Sequence, residues 1–380
     1  MSIFHREDLA TELASRLLAG RIPSATGSGL FLAAPRRTGK STFLREDLRP
    51  ALERQGAQVI YADLWADKSA DPGEVIVESI RSALASRTGA LTRLARSSGL
   101  DKLTVGGRSF SLDKVGLAKG ITLTAALAAL SDETQAMTVL IIDEAQHAIT
   151  STSGSNALFA LKAARDELNS SAHHGLRVVA TGSNRDKLAM LRNSKDQAFF
   201  GAPLINFPPL DKSYIEWFLS HLPFRQELDV ERVYQWFSEA AFRPEILSAA
   251  VDALVYDLEV RPGQYAARLD SLMKEQVRAS NEDALRVVHS LTPLQSAVLR
   301  VMAKAGQNYA PFEAQTLERY RTVLAAVAPN VRIEPESNNV QAALAALQEK
   351  GLVWRAARGV YALEDTFLAE LMRKAGMLDV

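Results

Sequence analysis

Gly39-Lys40-Ser41 closes the segment Leu32-Ala-Ala-Pro-Arg-Arg-Thr-Gly-Lys-Ser-Thr42, which follows an apolar run and opens an amphipathic helical stretch. That is the setting in which a phosphate-binding loop works. Backbone N–H groups and the helix N-terminus then face the phosphates, Lys40 reaches the β and γ oxygens, and the Ser41 hydroxyl ligates Mg²⁺. Gly39 has to be glycine, since a side chain there would collide with phosphate or strain the backbone. The expected nucleotide-binding set is therefore Ala34, Pro35, Arg36, Arg37, Thr38, Gly39, Lys40, Ser41 and Thr42, with ATP and Mg²⁺ as the ligands implied. One position departs from G-x-x-x-x-G-K-[ST]: the first glycine is replaced by Ala34, a single methyl that is tolerable at a strand end but would alter affinity. Arg36 and Arg37 meet γ-phosphate, meet a partner's carboxylate, or stand in solvent.

The second chemical element is Thr138-Val-Leu-Ile-Ile-Asp143-Glu144, an apolar strand ending in two carboxylates. Asp143 is expected to hold Mg²⁺ opposite Ser41, and Glu144 to orient and polarise an attacking water. The alternative is that the pair caps the next helix. Glu144 is the sequence's main argument for turnover in addition to binding. Rival chemistries find less support. Gly27-Ser-Gly29 precedes its strand instead of following it, which argues against a dinucleotide fold. His5, His147, His173, His174, His221 and His289 show no metal-ligand spacing, and there is no Gly-x-Ser-x-Gly elbow.

The elements that would position these groups alternate over the first two hundred residues. Short apolar runs at Leu30 to Ala33, Val59 to Leu64, Val139 to Asp143, Arg177 to Thr181 and Pro203 to Phe207 read as parallel strands buried on both faces. Helical stretches fall at Lys40 to Arg54, Pro72 to Ala85, Ala157 to Leu168 and Arg185 to Arg192. Thr104 to Leu112 reads as an inserted hairpin around Gly106-Gly107, and Thr150 to Asn156 as a mobile Ser/Thr/Gly-rich loop. After Pro208-Pro209 the strands stop, and helices are expected at Tyr214 to Leu222, Val230 to Ala240, Pro244 to Leu258 and Pro262 to Ala279. Their aromatics, among them Tyr214, Trp217 and Trp236, recur at helical intervals and read as core. Helices at Pro293 to Ala305, Phe312 to Ala328 and Asn338 to Lys350 then precede two short strands, Leu352 to Arg355 and Val360 to Leu363, the order of a winged helix.

The wording of Ala34 to Thr42, Asp143-Glu-Ala-Gln146 and Ala180-Thr-Gly-Ser183-Asn184 resembles the archaeal-type P-loop ATPases, relatives of initiator-type AAA+ and STAND ATPases. The resemblance implies an α/β parallel-sheet P-loop NTPase core of the ASCE, AAA+-like kind at 1–210, a helical lid at 211–289 and a C-terminal winged helix at 290–380. It also implies that the Phe4-His-Arg6 segment packs near the adenine, and that Ser183 or Asn184 is a polar sensor of the γ-phosphate, either of which is equally a turn residue. Arg243 is implied to touch phosphate from the lid, although Arg243-Pro244 is also ordinary chemistry for a helix start. An arginine finger is not evident; Arg185 and Arg192 are the arginines close after the sensor strand.

In a winged helix the third helix enters the major groove and the wing touches phosphates, which here points to Asn338, Asn339 and Gln341 with Arg355 and Arg358 as contacts to double-stranded DNA. Residues 291–380 hold ten basic and nine acidic side chains, however, where a DNA binder would show a basic face. Two expectations follow. One is an ATP-hydrolysing switch acting on DNA or on a DNA-bound assembly; the other is a nucleotide-stabilised interaction module with negligible turnover, whose winged helix binds a protein partner or a second copy. The 380 residues carry 44 basic and 44 acidic side chains and no cysteine, which leaves no overall field for a polyanion and excludes thiolate chemistry. No run is long enough to span a membrane, and the expected location is the cytoplasm.

Overall fold

The computed structural model describes residues 3–19, 25–87, 89, 122–170, 173–193, 197–330, 332–357 and 359–379. The expected hairpin at Thr104 to Leu112 and the wing residue Arg358 lie outside the described residues. The chain divides into two compact units, one of His5–Ala33 with Ser41–Asn206, the other of Met1–Phe4, Ala34–Lys40 and Phe207–Val380.

Five parallel strands organise the first unit: β1 (Leu30–Ala33), β2 (Gln58–Asp63), β3 (Thr138–Asp143), β4 (Leu176–Gly182) and β5 (Leu204–Asn206), in the order β2-β3-β4-β1-β5. They correspond to the five apolar runs. All six residues of β3 are buried, and Val139 to Ile142 completely so. Each of those four side chains stabilises the fold by about 1.5–3 kcal/mol on leaving water. Strand alternation sorts the side chains between two faces. Ile60, Ala62, Leu140, Ile142, Val178 and Ala180 belong to one core with helices Pro72–Ala85, Leu123–Thr134 and Thr152–Ser170. Val59, Val139, Ile141 and Val179, one residue out of step, are buried as well.

Register sets the carboxyl ends of the strands level. Asp63 lies beside Asp143, and Ala33 lies beside both Gly182 and Asn206. Ligands of open parallel sheets bind at this edge.

Several local expectations need correction. The helix from Lys40 is not uniform: an α turn (Lys40–Thr42) passes into a π-helical turn (Phe43–Leu48) and then into Arg49–Arg54. Arg49 N–H bonds to the Leu44 carbonyl five residues back, and Pro50, which has no N–H to give to Glu46, follows directly. Thr150 to Asn156 is not a loop. Helix Thr152–Ser170 starts within it, and Ser151 Oγ accepts the Gly154 N–H at 3.0 Å. Close packing holds this start: a β-carbon at Gly154 would collide with the Ala148 carbonyl, and one at Gly73 would come within 2.6 Å of the Ser153 backbone. Asp71 caps helix Pro72–Ala85 and also accepts Ser153 Oγ at 2.5 Å. Helices Glu7–Leu18 and Leu123–Thr134 add to the expected set, and Arg185–Ala189 is shorter than read.

The second unit contains two separate hydrophobic cores. One joins helices Lys212–Ser220, Val230–Glu239, Pro244–Val255 and the first half of Tyr265–His289, and takes in the anticipated aromatics. The other joins Pro293–Ala305, Ala314–Val327 and Ser337–Glu349 with an antiparallel hairpin of β6 (Val353–Ala357) and β7 (Val360–Leu363), the winged-helix arrangement. Helix Tyr265–His289 runs ten residues beyond its expected end, because Val288 is buried in the second core as Leu269, Leu272 and Met273 are in the first. No described helix is long and apolar enough to cross a membrane.

Gly154→Ala is expected to destabilise the first unit by about 1–3 kcal/mol through overpacking against the Ala148 carbonyl. Thermal melting checks this; an unchanged transition would show that the helix start yields without cost.

Candidate functional site

The phosphate loop is shaped by its backbone. Gly39 has a φ of 81°, and a β-carbon there would meet only Leu210 at 3.9 Å, so conformation and not crowding demands glycine. Arg37 adopts a φ of 62°, which costs a residue with a β-carbon about 1–2 kcal/mol. Such strain concentrates at ligand sites. Thr38 is buried and donates its hydroxyl to the Pro35 carbonyl at 2.7 Å, bracing the loop from within. Ala34 and Lys40 are buried, whereas Pro35, Arg36, Arg37, Ser41 and Thr42 are exposed.

Asp143 is where the site closes. Ser41 Oγ donates to Asp143 Oδ2 at 2.6 Å, joining residues 102 positions apart. Tyr61 OH donates to the same oxygen at 3.0 Å, while Thr181 Oγ1 at 2.5 Å and the Glu144 N–H at 3.0 Å serve Oδ1. Burial first, and then the Asp143 charge, push the Tyr61 phenol well above its ordinary value, so it stays protonated and remains a donor. Arg45 lies 4.9 Å from the Tyr61 ring centre and pairs with Asp63 at 2.5 Å.

These donors suit a hard cation. A hydroxyl and a carboxylate oxygen within 2.6 Å of each other are the oxygen ligands that Mg²⁺ prefers, and Mg²⁺ shared with phosphates takes only one or two protein ligands. No larger cage of acidic or histidine side chains occurs among the described residues.

Glu144 follows with a left-handed φ of 54°. Its Oε2 accepts from Ser183 Oγ at 2.9 Å, the Ser183 N–H at 3.3 Å and Gln146 Nε2 at 2.6 Å. Of the two sensor candidates Ser183 is thus the one that meets Glu144. Asn184 instead caps helix Arg185–Ala189, its Oδ1 accepting from the N–H groups of Asp186 and Lys187 at 2.8 and 3.1 Å.

Other expected residues lie elsewhere. The Arg6 N–H and the His5 ring both bond to the buried Asp47, at 3.1 and 2.7 Å, which fastens the chain entering helix Glu7–Leu18. Within the second unit Arg36 pairs with Glu364 at 2.6 Å, and Arg37 lies 3.7 Å from Glu245. Arg243 bonds the Ala240 carbonyl and Ser280 Oγ, both at 3.1 Å, and stands 4.7 Å from the Phe367 ring centre; burial lowers the pKa of its guanidinium. Arg185 bonds Asn206 and the Leu204 carbonyl, and Arg192 bonds Asn193. In the winged helix Asn338 is exposed, Asn339 donates to the Glu334 carbonyl at 3.0 Å, Gln341 to Tyr361 OH at 3.4 Å, and Arg355 lies 5.8 Å from the Tyr361 ring centre.

Sequence reasoning missed Tyr61, Thr181 and Gln146. Thr181 and Gln146 stood within quoted motifs without a role, and alternation along β2, which places Tyr61 and Asp63 on one side, was the available signal for Tyr61. Thr181→Val keeps the shape but removes a donor from a buried carboxylate. A loss of about 1–3 kcal/mol is expected in thermal or denaturant unfolding.

Residues 25–188 match a family described as an AAA domain. No curated protein matches the chain. Among solved structures, the Walker-type ATPase of Pyrococcus abyssi is similar at 18% identity and a TM-score of 0.52, over 97% of each chain. The Aeropyrum pernix ORC2 protein in its ADP form is similar at 16% identity and a TM-score of 0.54, over 100% of this chain and 94% of that one. Residues 25–188 thus resemble an AAA domain, in a chain that shares the P-loop fold of these archaeal proteins.

Proposed function

We propose that this chain binds ATP with Mg²⁺ and hydrolyses it, and that turnover switches its action on DNA or on a DNA-bound protein assembly. The observation that carries the reading is the 2.6 Å bond between Ser41 and Asp143, with Glu144 the next residue in the chain. The AAA-domain match over residues 25–188 supports it independently. In this reading the chain comprises an ATPase part at 1–210, a lid at 211–289 and a winged helix at 290–380.

Lys40 takes the β and γ oxygens, and Ser41 and Asp143 hold Mg²⁺ directly or through water. Magnesium, when bound, neutralises charge developing on the phosphate oxygens. Glu144 accepts a hydrogen bond from the lytic water and polarises it. Ser183, whose N–H and hydroxyl both reach Glu144, relates the end of β4 to the γ-phosphate. Arg36, Arg37 and Arg243 supply positive charge, and each would exchange its present protein partners for phosphate. Arg6, just before helix Glu7–Leu18, lies near the adenine.

For the winged helix, exposed Asn338 together with Arg355 and Arg358 supports contact with duplex DNA. A specific observation favours the second reading, a nucleotide-stabilised module that binds protein. Asn339 and Gln341 already bond within the domain, and residues 291–380 are nearly neutral.

Glu144→Gln is expected to lower phosphate release by about 100-fold or more while nucleotide binding persists. Unchanged release in that variant would sink the hydrolysis reading. Duplex binding, if it occurs, should weaken linearly in log salt, and no salt-dependent binding with or without ATP would favour the protein-binding module.

A further inference from the structure

Gln146 belongs to the Asp143-Glu-Ala-Gln motif, yet neither phosphate nor metal binding requires it. Its side chain is completely buried. Nε2 donates to Glu144 Oε2 at 2.6 Å, shorter than the 2.9 Å bond this oxygen receives from Ser183 Oγ. Oε1 finds no hydrogen-bond partner among the described residues. It lies against the backbone of Gly182, where any β-carbon would collide with it, so the glycine just before Ser183 is what leaves room for the amide. Leu188 closes the same space, its side chain 2.9 Å from where that β-carbon would stand.

A buried amide with an unmatched acceptor costs stability that a leucine of similar size would not. Such a residue is retained for what its donor does, and here the donor is aimed at the carboxylate read as the activator of water. Glu144 needs that support, because its left-handed backbone carries it out of strand geometry and its carboxylate is gathered at one oxygen by Ser183 and Gln146.

We propose that Gln146 is a positioning residue for hydrolysis: wedged against Gly182, its amide fixes the orientation of the Glu144 carboxylate, while nucleotide binding does not depend on it. The proposal rests on the hydrolysis reading above. A misplaced activating group costs turnover, not affinity.

The test is phosphate release by the full chain carrying Gln146→Leu, in wild-type and Glu144→Gln backgrounds, with nucleotide affinity measured by a fluorescent ADP analogue. Gln146→Leu is expected to lower kcat about tenfold or more, with affinity within about twofold of wild type, and to leave the residual rate of Glu144→Gln unchanged. Its melting temperature should equal or exceed that of wild type. Gly182→Ala, which crowds the amide from the other side, should lower kcat in the same direction. Wild-type kcat in Gln146→Leu, an equal proportional loss in both backgrounds, or a loss of affinity matching the loss of rate would overturn the positioning role. A wild-type chain that releases no phosphate would overturn the hydrolysis reading and the positioning role with it, an outcome distinct from the others.

Discussion

One hydrogen bond, from Ser41 to Asp143, ties the phosphate loop to the acidic strand, and most of the first unit can be read as what that bond requires. Its donor follows β1 and its acceptor ends β3, yet β4 lies between those strands. The two groups meet only because three parallel strands end level and the chain turns sharply after β1 into a helix. Continuous burial of β3 and the two-sided core fix that register, since slipping a strand by one residue would reverse which side chains face each layer.

Asp143 and Glu144 are neighbours with opposite surroundings. Asp143 keeps strand geometry and accepts from three side chains in three parts of the unit, the loop helix, β2 and β4, besides the N–H of Glu144. Extended backbone would send Glu144 to the opposite face of the sheet. The left-handed turn breaks that alternation, so both carboxylates serve the same edge, one rigidly and the other through Ser183 and Gln146.

Much of this was legible because burial on both faces leaves uninterrupted apolar runs, which reveal strands without reference to partners. Gly39, Lys40, Ser41 and the acidic pair were legible for a related reason: their roles depend on chain neighbours. What escaped depends on register or on distant packing. Tyr61 and Thr181 reach Asp143 from adjacent strands; alternation along β2 gives the side on which Tyr61 lies, but only strand register gives its partner. The helix at Leu123–Thr134 lay outside the expected set, and the helix start at Thr152 was hidden by residues that also favour loops. Arg243 offered no sign of Ser280 or Phe367, which lie far along the chain from it.

The 25-residue helix Tyr265–His289 is about 38 Å long and lends its two halves to different cores. That unbroken backbone ladder leaves no hinge between them, so a displacement of the first core is carried along the helix toward the winged helix. Turning one core against the other would have to bend or unwind that helix.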